Sequence, residues 1–238
     1  RLTKKTGMSA RKAAALNANQ EAAMFVGRRM TRNVVSVTKD ASVLHVRNLL
    51  REKDINQVPV VEGRRVIGVI TDGDIREYSA SPASTLSVHE LNYLLSEMKA
   101  GDIMTANPVT VGPETPVEEA AKILNERRIG CLPVVKDGEL AGIITTCDML
   151  NVLLEVMGVG TRSSRIELSI PSDMGEICNI AAIVKELGLS IMSMVSTVHE
   201  TEPATRFSVL RVNTDDIREL CRVLRGAGYR VTTKYEEQ

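Results

Sequence analysis

Tryptophan is absent, and aromatic residues make up only 3% of the 238 positions, with two phenylalanines and four tyrosines. Any core must therefore rest on Val, Ile, Leu, Ala and Met, and the 43% hydrophobic content is ample for one to three ordinary domains. Net charge is also missing. Thirty basic side chains balance thirty acidic ones, which removes the broad positive field expected of a nucleic-acid binder. No apolar run approaches the roughly 18 residues of a membrane-spanning helix, and no stretch has the pattern of a secretory signal. The expectation is a protein without nucleic-acid or membrane partners. Histidine is scarce: His45, His89 and His199 lie far apart without metal-ligand spacing, which argues against a metal site or His-based catalysis. The four cysteines, Cys131, Cys147, Cys178 and Cys221, form no CxxC pair and read as reduced thiols of a cytoplasmic protein. No nucleophile–base pair stands out, so neither an enzyme activity nor a catalytic cofactor is expected.

What the chain does have is self-similarity. The segment Met30–Ile75 recurs without gaps as Met104–Met149, at a constant offset of 74 residues. The pairs Met30/Met104, Thr31/Thr105, Val37/Val111, Val43/Val117, Leu50/Leu124, Pro59/Pro133, Gly68/Gly142, Thr71/Thr145 and Asp74/Asp148 are identical. A repeated unit usually means that one copy cannot bury its own apolar face and needs its twin. Two such copies pack about a pseudo-twofold axis, and equivalent residues then converge on a shared cleft. In the first copy Val34, Val35 and Val37 make a short strand, and Val43, Val46 and Leu50 have helical spacing. Val58–Val61 is a β-branched run with Pro59 near its start, as at a sheet edge, and Gly63 turns the chain into Val66–Ile70. In the second copy Thr115, Pro116 and Glu118 form a capping box ahead of the stripe Val117, Ala120, Ala121 and Leu124. Between the copies, Ser79–Gly101 is an ordered connector: Ser87 and Glu90 cap a helix through Leu94 and Leu95, and Leu86 staples onto Leu91. Residues 1–23 carry Arg1, Lys4, Lys5, Arg11 and Lys12 against Glu21 alone and lack apolar periodicity. They read as a disordered or expression-derived leader, with Met24 a candidate native start, and a basic arm for nucleic acid is the weaker alternative.

The segments Gly68–Asp74 and Gly142–Asp148 carry the chemistry. Each is a buried strand that ends in a hydroxyl and, three residues later, a carboxylate. As helix caps, Thr and Asp need no ligand. As a site, the carboxylate suits the vicinal hydroxyls of a ribose, the hydroxyl and helix-start amides suit a phosphate, and the glycine admits a ligand or a neighbouring backbone. Both readings stand on the residues alone.

These segments, with Val58-Pro59-Val60-Val61, Leu132-Pro133-Val134-Val135 and Asp102-Ile103-Met104-Thr105, resemble a tandem pair of cystathionine-β-synthase (CBS) domains, a Bateman module, over about residues 26–157. The resemblance implies an α+β fold of two β-α-β-β-α repeats, about 26–82 and 100–157, within a module spanning 24–160. It implies a non-enzymatic regulatory sensor whose effector is AMP, ADP, ATP or S-adenosylmethionine. Thr71 and Thr145 would meet phosphate and Asp74 and Asp148 ribose, with Gly68, Asp72 and Gly142 beside them. Adenine would lie against the opposite repeat, among Gly27–Met30 with Asn56, Gln57 and Val58, or Gly101–Met104 with Gly130, Cys131 and Leu132. Many nucleotide-binding members place Arg or His just before the proline. Here those positions, and Gly73 and Cys147, carry no cation, which favours AMP or S-adenosylmethionine over ATP. Arg28, Arg29, Arg76, Arg127 and Arg128 are the candidates to substitute. Cys131 and Cys147 fall near the cleft and read as small buried packing residues.

After Gly158 and Gly160 the pattern changes to β-α-β-β-α-β, the ferredoxin-like plan. Ile166, Leu168 and Ile170 alternate as a strand, and Asp173 and Glu176 cap a helix carrying Ile177, Ile180, Ala181 and Val184 that stops at Gly188. Leu189–Val198 and Phe207–Val212 are strands, with Met192 and Met194 in the core. Thr214, Asp215 and Asp216 start a second helix ending near Gly226, and Tyr229–Lys234 is the last strand. The turn Pro171–Glu176 with Gly188 resembles an ACT domain, placed at 161–238, although the family often has proline where Met174 stands. That resemblance implies an amino-acid site at Asp173, Met174, Gly175 and Asn179. Equally open is a subdomain that only dimerises through its sheet edge. The order of the modules is similar to acetoin-utilisation-type CBS–ACT regulatory proteins and implies a homodimer and a regulated protein partner. A ligand-free dimerisation scaffold and an amino-acid sensor remain the alternatives.

Overall fold

The computed structural model describes residues 24–79, 88–160, 162–173, 175–198 and 204–233. Two compact units divide between Met149 and Leu150, each with its own core. The calls on residues 1–23, on Leu86 and Ser87, on Met174 and on His199 lie outside the described residues. Among the described residues no helix is long and apolar enough to cross a membrane.

The first unit opens with α1 (Val26–Arg29), β1 (Val37–Thr38), α2 (Val43–Lys53), β2 (Gln57–Glu62), β3 (Arg65–Thr71) and α3 (Asp72–Ser79). After α4 (Val88–Glu97), the second copy repeats the plan as α5 (Ala100–Ile103), β4 (Thr105–Ala106), α6 (Val117–Arg127), β5 (Cys131–Lys136), β6 (Glu139–Thr145) and α7 (Thr146–Val156). The first sheet has the order β1-β2-β3-β4, with β1 parallel to β2 and the other pairs antiparallel. The β5–β6 hairpin is extended by two single bridges, Val111 parallel to Val134 and Thr31 antiparallel to Ile143. Shifted by 74, these are the first sheet's own pairs Val37–Val60 and Thr105–Val69.

The copies exchange their leading segments. Thr105 opens the second copy yet pairs on the sheet of the first, and Thr31 does the converse. The short helices ahead of them follow. Ala100 N and Gly101 N donate to Ala41 O and Lys39 O at 2.7 and 2.8 Å, and Val26 N and Gly27 N to Thr115 O and Pro113 O at 2.9 and 2.7 Å. Ala100 and Ile103 thus complete the core of Val43, Val46, Leu50, Val58, Val60 and Ile70, while Val26 and Met30 complete that of Ala120, Leu124, Leu132, Val134 and Ile144. Full burial of an aliphatic side chain such as Val26 contributes about 1.5–3 kcal/mol. Neither copy closes its core alone.

The motif glycines serve this exchange. A Cβ at Gly68 would overlap the Met104 thioether, with Cγ at 2.9 Å, and one at Gly142 would overlap Met30, with Cγ also at 2.9 Å and Thr31 O at 3.0 Å. The close neighbour is therefore a methionine side chain from the other copy. Between the sheets, Val69 and Ile143 meet with Cys131 and Val34 in a small apolar seam.

Local departures have physical causes. β2 is an internal strand, so Pro59 is not at a sheet edge; β1 pairs only with Val60 and Val61, so no bond to that side needs an N–H at Pro59. Thr115 does not cap α6. Its hydroxyl accepts from Gly112 N at 3.2 Å, and Pro116 is the N-cap. In the first copy Ser42 takes the cap, accepting from His45 N at 3.2 Å.

The second unit contains β7 (Ser164–Pro171), α8 (Glu176–Glu186), β8 (Ile191–Val198), β9 (Thr205–Val212), α9 (Arg218–Gly226) and β10 (Arg230–Thr232). They form one antiparallel sheet of order β10-β7-β9-β8, the split βαβ plan expected. Ile166, Leu168 and Ile170 pack with Ile180, Val184, Leu220 and Leu224. Gly175, at φ 127°, rather than Asp173 is the N-cap residue of α8, while Ile177 is exposed. Met192 sits at a bulge where register slips between Ile191 and Ser193; it is 45% exposed, whereas Met194 packs on the core. Thr214 and Asp216 form a turn through Asp216 N to Thr214 Oγ1 at 3.1 Å, which delays α9 to Arg218.

The exchange predicts a specific coupling. Gly68→Ala should cost about 1–3 kcal/mol through overpacking, and Met104→Ala should relieve part of that cost in the double variant. Gly142→Ala should be relieved less by Met30→Ala, because Thr31 O also blocks the Cβ. Urea unfolding midpoints of the double-mutant cycle measure this, and additive losses at Gly68 and Met104 would contradict it.

Candidate functional site

Each Thr–Asp motif builds the same local structure. Asp74 Oδ2 accepts from Thr71 N at 2.7 Å and Thr71 Oγ1 at 2.8 Å, while Asp74 N donates to Thr71 Oγ1 at 3.2 Å. Asp148 Oδ2 accepts from Thr145 N and Oγ1, both at 2.8 Å, and Asp148 N donates to Thr145 Oγ1 at 3.3 Å. These are reciprocal caps that fix the starts of α3 and α7. They occupy one carboxylate oxygen. Oδ1 of Asp74 and of Asp148 accepts no hydrogen bond from the described residues and can receive a ligand hydroxyl. Thr71 has one hydroxyl proton, and it points to Asp74, so in this arrangement Thr71 offers a phosphate no donor.

A cavity of about 420 Å³ lies between the copies. Val69, Thr71 and Asp74 supply one wall; Thr105, Asn107–Val109 and Arg128–Cys131 supply the other. Its volume falls in the roughly 300–1,000 Å³ range of small-molecule sites. Val69, Pro108, Val109 and Ile129 are apolar surfaces for a flat base, Asp74 is the anionic acceptor and Arg128 the cation. Shifted by 74, the same positions are Ile143, Thr145, Asp148, Thr31, Asn33–Val35 and Asp54–Gln57.

Of the residues singled out from sequence, Thr71, Asp74, Gly130 and Cys131 come together in this cavity. Thr145, Asp148, Asn56 and Gln57 are the same positions in the other copy, shifted by 74. Val58 and Leu132 are fully buried in the two cores, and Met30 and Met104 pack against Gly142 and Gly68. Asp72 is held by Arg76 at 3.0 Å. Arg29 Nη2 approaches Met24 Sδ at 3.8 Å. Arg28, Arg127 and Arg128 are all exposed, and of the five it is Arg128 that lines the cavity. The wall begins at Thr105, after Gly101–Met104, because α5 turns back onto the first core. Asn107 and Val109 were not singled out, although Asn33 and Val35 repeat them. Asn107 adopts φ 49°, which asparagine tolerates, and its N–H donates to Ile67 O at 3.0 Å.

Cys131 is buried, whereas Cys147 is exposed and so is not the packing residue expected. Burial, with the nearby Asp74 charge, pushes the Cys131 thiol up to about 11. In the second unit, Asp173 and Gly175 line a smaller hollow of about 200 Å³ with Ser172, Glu176 and Arg206. Asn179 stands apart from that hollow, and the Tyr229 hydroxyl meets Glu176. Among the described residues, no three His, Cys, Asp or Glu side chains gather as a metal site.

The CBS domain model matches residues 26–81 and 100–155. A CBS domain-containing protein of Dictyostelium discoideum is 32% identical over 136 residues, 56% of this chain and 94% of that protein. The inosine-5'-monophosphate dehydrogenase of Korarchaeum cryptofilum is 39% identical over 119 residues, half of this chain but only 22% of the enzyme. Among solved structures, a Vibrio cholerae protein assigned to acetoin utilization (AcuB) is 25% identical with TM-score 0.48, covering 58% of this chain and 95% of that one. The CBS-pair protein CBSX2 of Arabidopsis thaliana, in complex with AMP, is 33% identical with TM-score 0.46, covering 56% of this chain and 97% of that one.

A raised pKa keeps a thiol protonated, so Cys131 should gain reactivity only as pH climbs toward about 11. Iodoacetamide at pH 8 followed by peptide mass spectrometry should label exposed Cys147 and Cys178 well before Cys131. Equal rates would contradict the placement of Cys131.

Proposed function

Because the chain belongs to the CBS domain family and carries its domain as a tandem pair, we propose that it is a non-catalytic regulatory sensor that binds an adenosine-containing ligand between the repeats. The observation that carries this reading is the cavity of about 420 Å³ whose walls come from both copies and in which the capped Asp74 retains an unoccupied acceptor oxygen. Asp74 Oδ1 receives a ribose hydroxyl, and the apolar wall at Val69, Val109 and Ile129 takes the base. AMP and S-adenosylmethionine are the favoured ligands, with ADP and ATP in the same class. A ligand held by both copies favours the arrangement that fits it and shifts the population of the module. The signal passes to the C-terminal ACT-like unit or to a protein partner. Homodimerisation belongs to this reading, and exposed Tyr93 and Leu94 offer apolar surface for it. A second reading, an amino-acid effector on the C-terminal unit, is favoured by the hollow that sets Arg206 near Asp173.

Thermal shift with AMP, ADP, ATP, S-adenosylmethionine and amino acids tests both readings. A ligand at 100 times its dissociation constant adds about 2.7 kcal/mol, a shift of several degrees. Asp74→Asn keeps an acceptor for the Thr71 cap but loses the charge, and should weaken the adenosyl ligand about tenfold with little change in the ligand-free melting temperature. A flat response to every adenosyl compound would favour a ligand-free scaffold, and a response to amino acids alone would favour the second reading.

A further inference from the structure

We infer that the two rotationally equivalent clefts differ in charge, and that Arg128 makes the Thr71–Asp74 cleft the single site for an adenosine phosphate. The inference rests on the proposed function and adds to it the ligand's charge, its place and its stoichiometry. Arg128 and Asp54 are the same backbone position in the two copies. Each is the left-handed C-cap of an 11-residue helix, at φ 54°, ψ 41° and φ 52°, ψ 47°. The residue that follows donates to the helix in the same way, Ile129 N to Leu124 O at 3.1 Å and Ile55 N to Leu50 O at 3.0 Å. The backbone is matched while the side chain inverts from guanidinium to carboxylate.

Arg128 lines the cavity, and among the described residues no carboxylate is paired with it. It can donate two parallel N–H bonds to a phosphate, the strong kind of contact that the engaged Thr71 hydroxyl does not supply. Shifted by 74, Arg128 and Asp74 become Asp54 and Asp148, so the equivalent positions hold two carboxylates and no guanidinium. Arg32, on the segment that forms that cleft's other wall, donates to Gly27 O at 2.6 Å.

Room differs as well as charge. Gly130 does not need to be glycine for its backbone, since its φ lies outside the left-handed region, or for packing, since an added Cβ would meet nothing within 4 Å. It leaves open the space beside Cys131 that a ligand would fill. The other copy places Asn56 and Gln57 there, and both are larger.

Isothermal titration of the whole chain with AMP, with uncharged adenosine and with S-adenosylmethionine tests the inference. The expected result is one AMP per chain, bound about tenfold or more tighter than adenosine. Arg128→Asp should abolish the preference for AMP over adenosine. Asp54→Arg should raise the stoichiometry toward two AMP. Each variant places at a left-handed position the residue that its twin already tolerates, so folding is preserved, and circular dichroism checks it. Equal affinity for AMP and adenosine, two equal AMP sites in the wild type, binding of S-adenosylmethionine but not AMP, or an Arg128→Asp variant with unchanged AMP affinity would each overturn this inference and leave the sensor reading standing. Failure of all three ligands, and of ADP and ATP, to bind would overturn both.

Discussion

The reciprocal exchange of leading segments is the constraint on which the N-terminal unit depends. Ala100 and Ile103 finish the first core, Val26 and Met30 finish the second, and Thr105 and Thr31 add the outer pairing to the opposite sheets. The two copies are therefore one cooperative structure rather than two beads. Gly68 and Gly142 are small because Met104 and Met30 must lie against them. The exchange also draws the chain from Thr105 to Val109 across to Thr71 and Asp74, which is why one cavity has walls from both copies. A ligand there grips the very contact that holds the module together, so its binding energy bears directly on the arrangement of the copies.

The duplicated caps show how stability and recognition share the same atoms. Thr71 and Asp74 satisfy each other at the start of α3, which accounts for the motif without any ligand. The same cap orients the carboxylate, leaving one oxygen over and turning the threonine proton away from a phosphate. The motif supplies an acceptor for hydroxyls, and an anion must look elsewhere for donors. Within the copied framework, sequence divergence then sets charge, Arg128 against Asp54, and size, Gly130 against Asn56 and Cys131 against Gln57. Duplication conserves the walls, and divergence distinguishes the two clefts.

Much of this was legible in the sequence because it repeats. The offset of 74 implied twinned units and a shared cleft, and alternation at Ile166, Leu168 and Ile170 implied the C-terminal sheet that the structure contains. The exchange was not legible, since short helices such as Val26–Arg29 and Ala100–Ile103 carry too little periodicity to say which core they finish. Competing donors and acceptors misled the cap at Thr115, whose hydroxyl serves Gly112 instead of α6. The bulge beside Met192 was equally invisible, because one extra residue reverses a side chain's face without changing composition. Arg128 was visible as a residue but not as a wall, since its position depends on the left-handed turn that ends α6.

Hydrogen–deuterium exchange of the whole chain with and without AMP addresses the central claim most directly. The account expects new amide protection at residues 71–75, 105–109 and 128–131, the two walls of one cleft. Protection absent from these segments while AMP binds, or confined to the C-terminal unit, would contradict it.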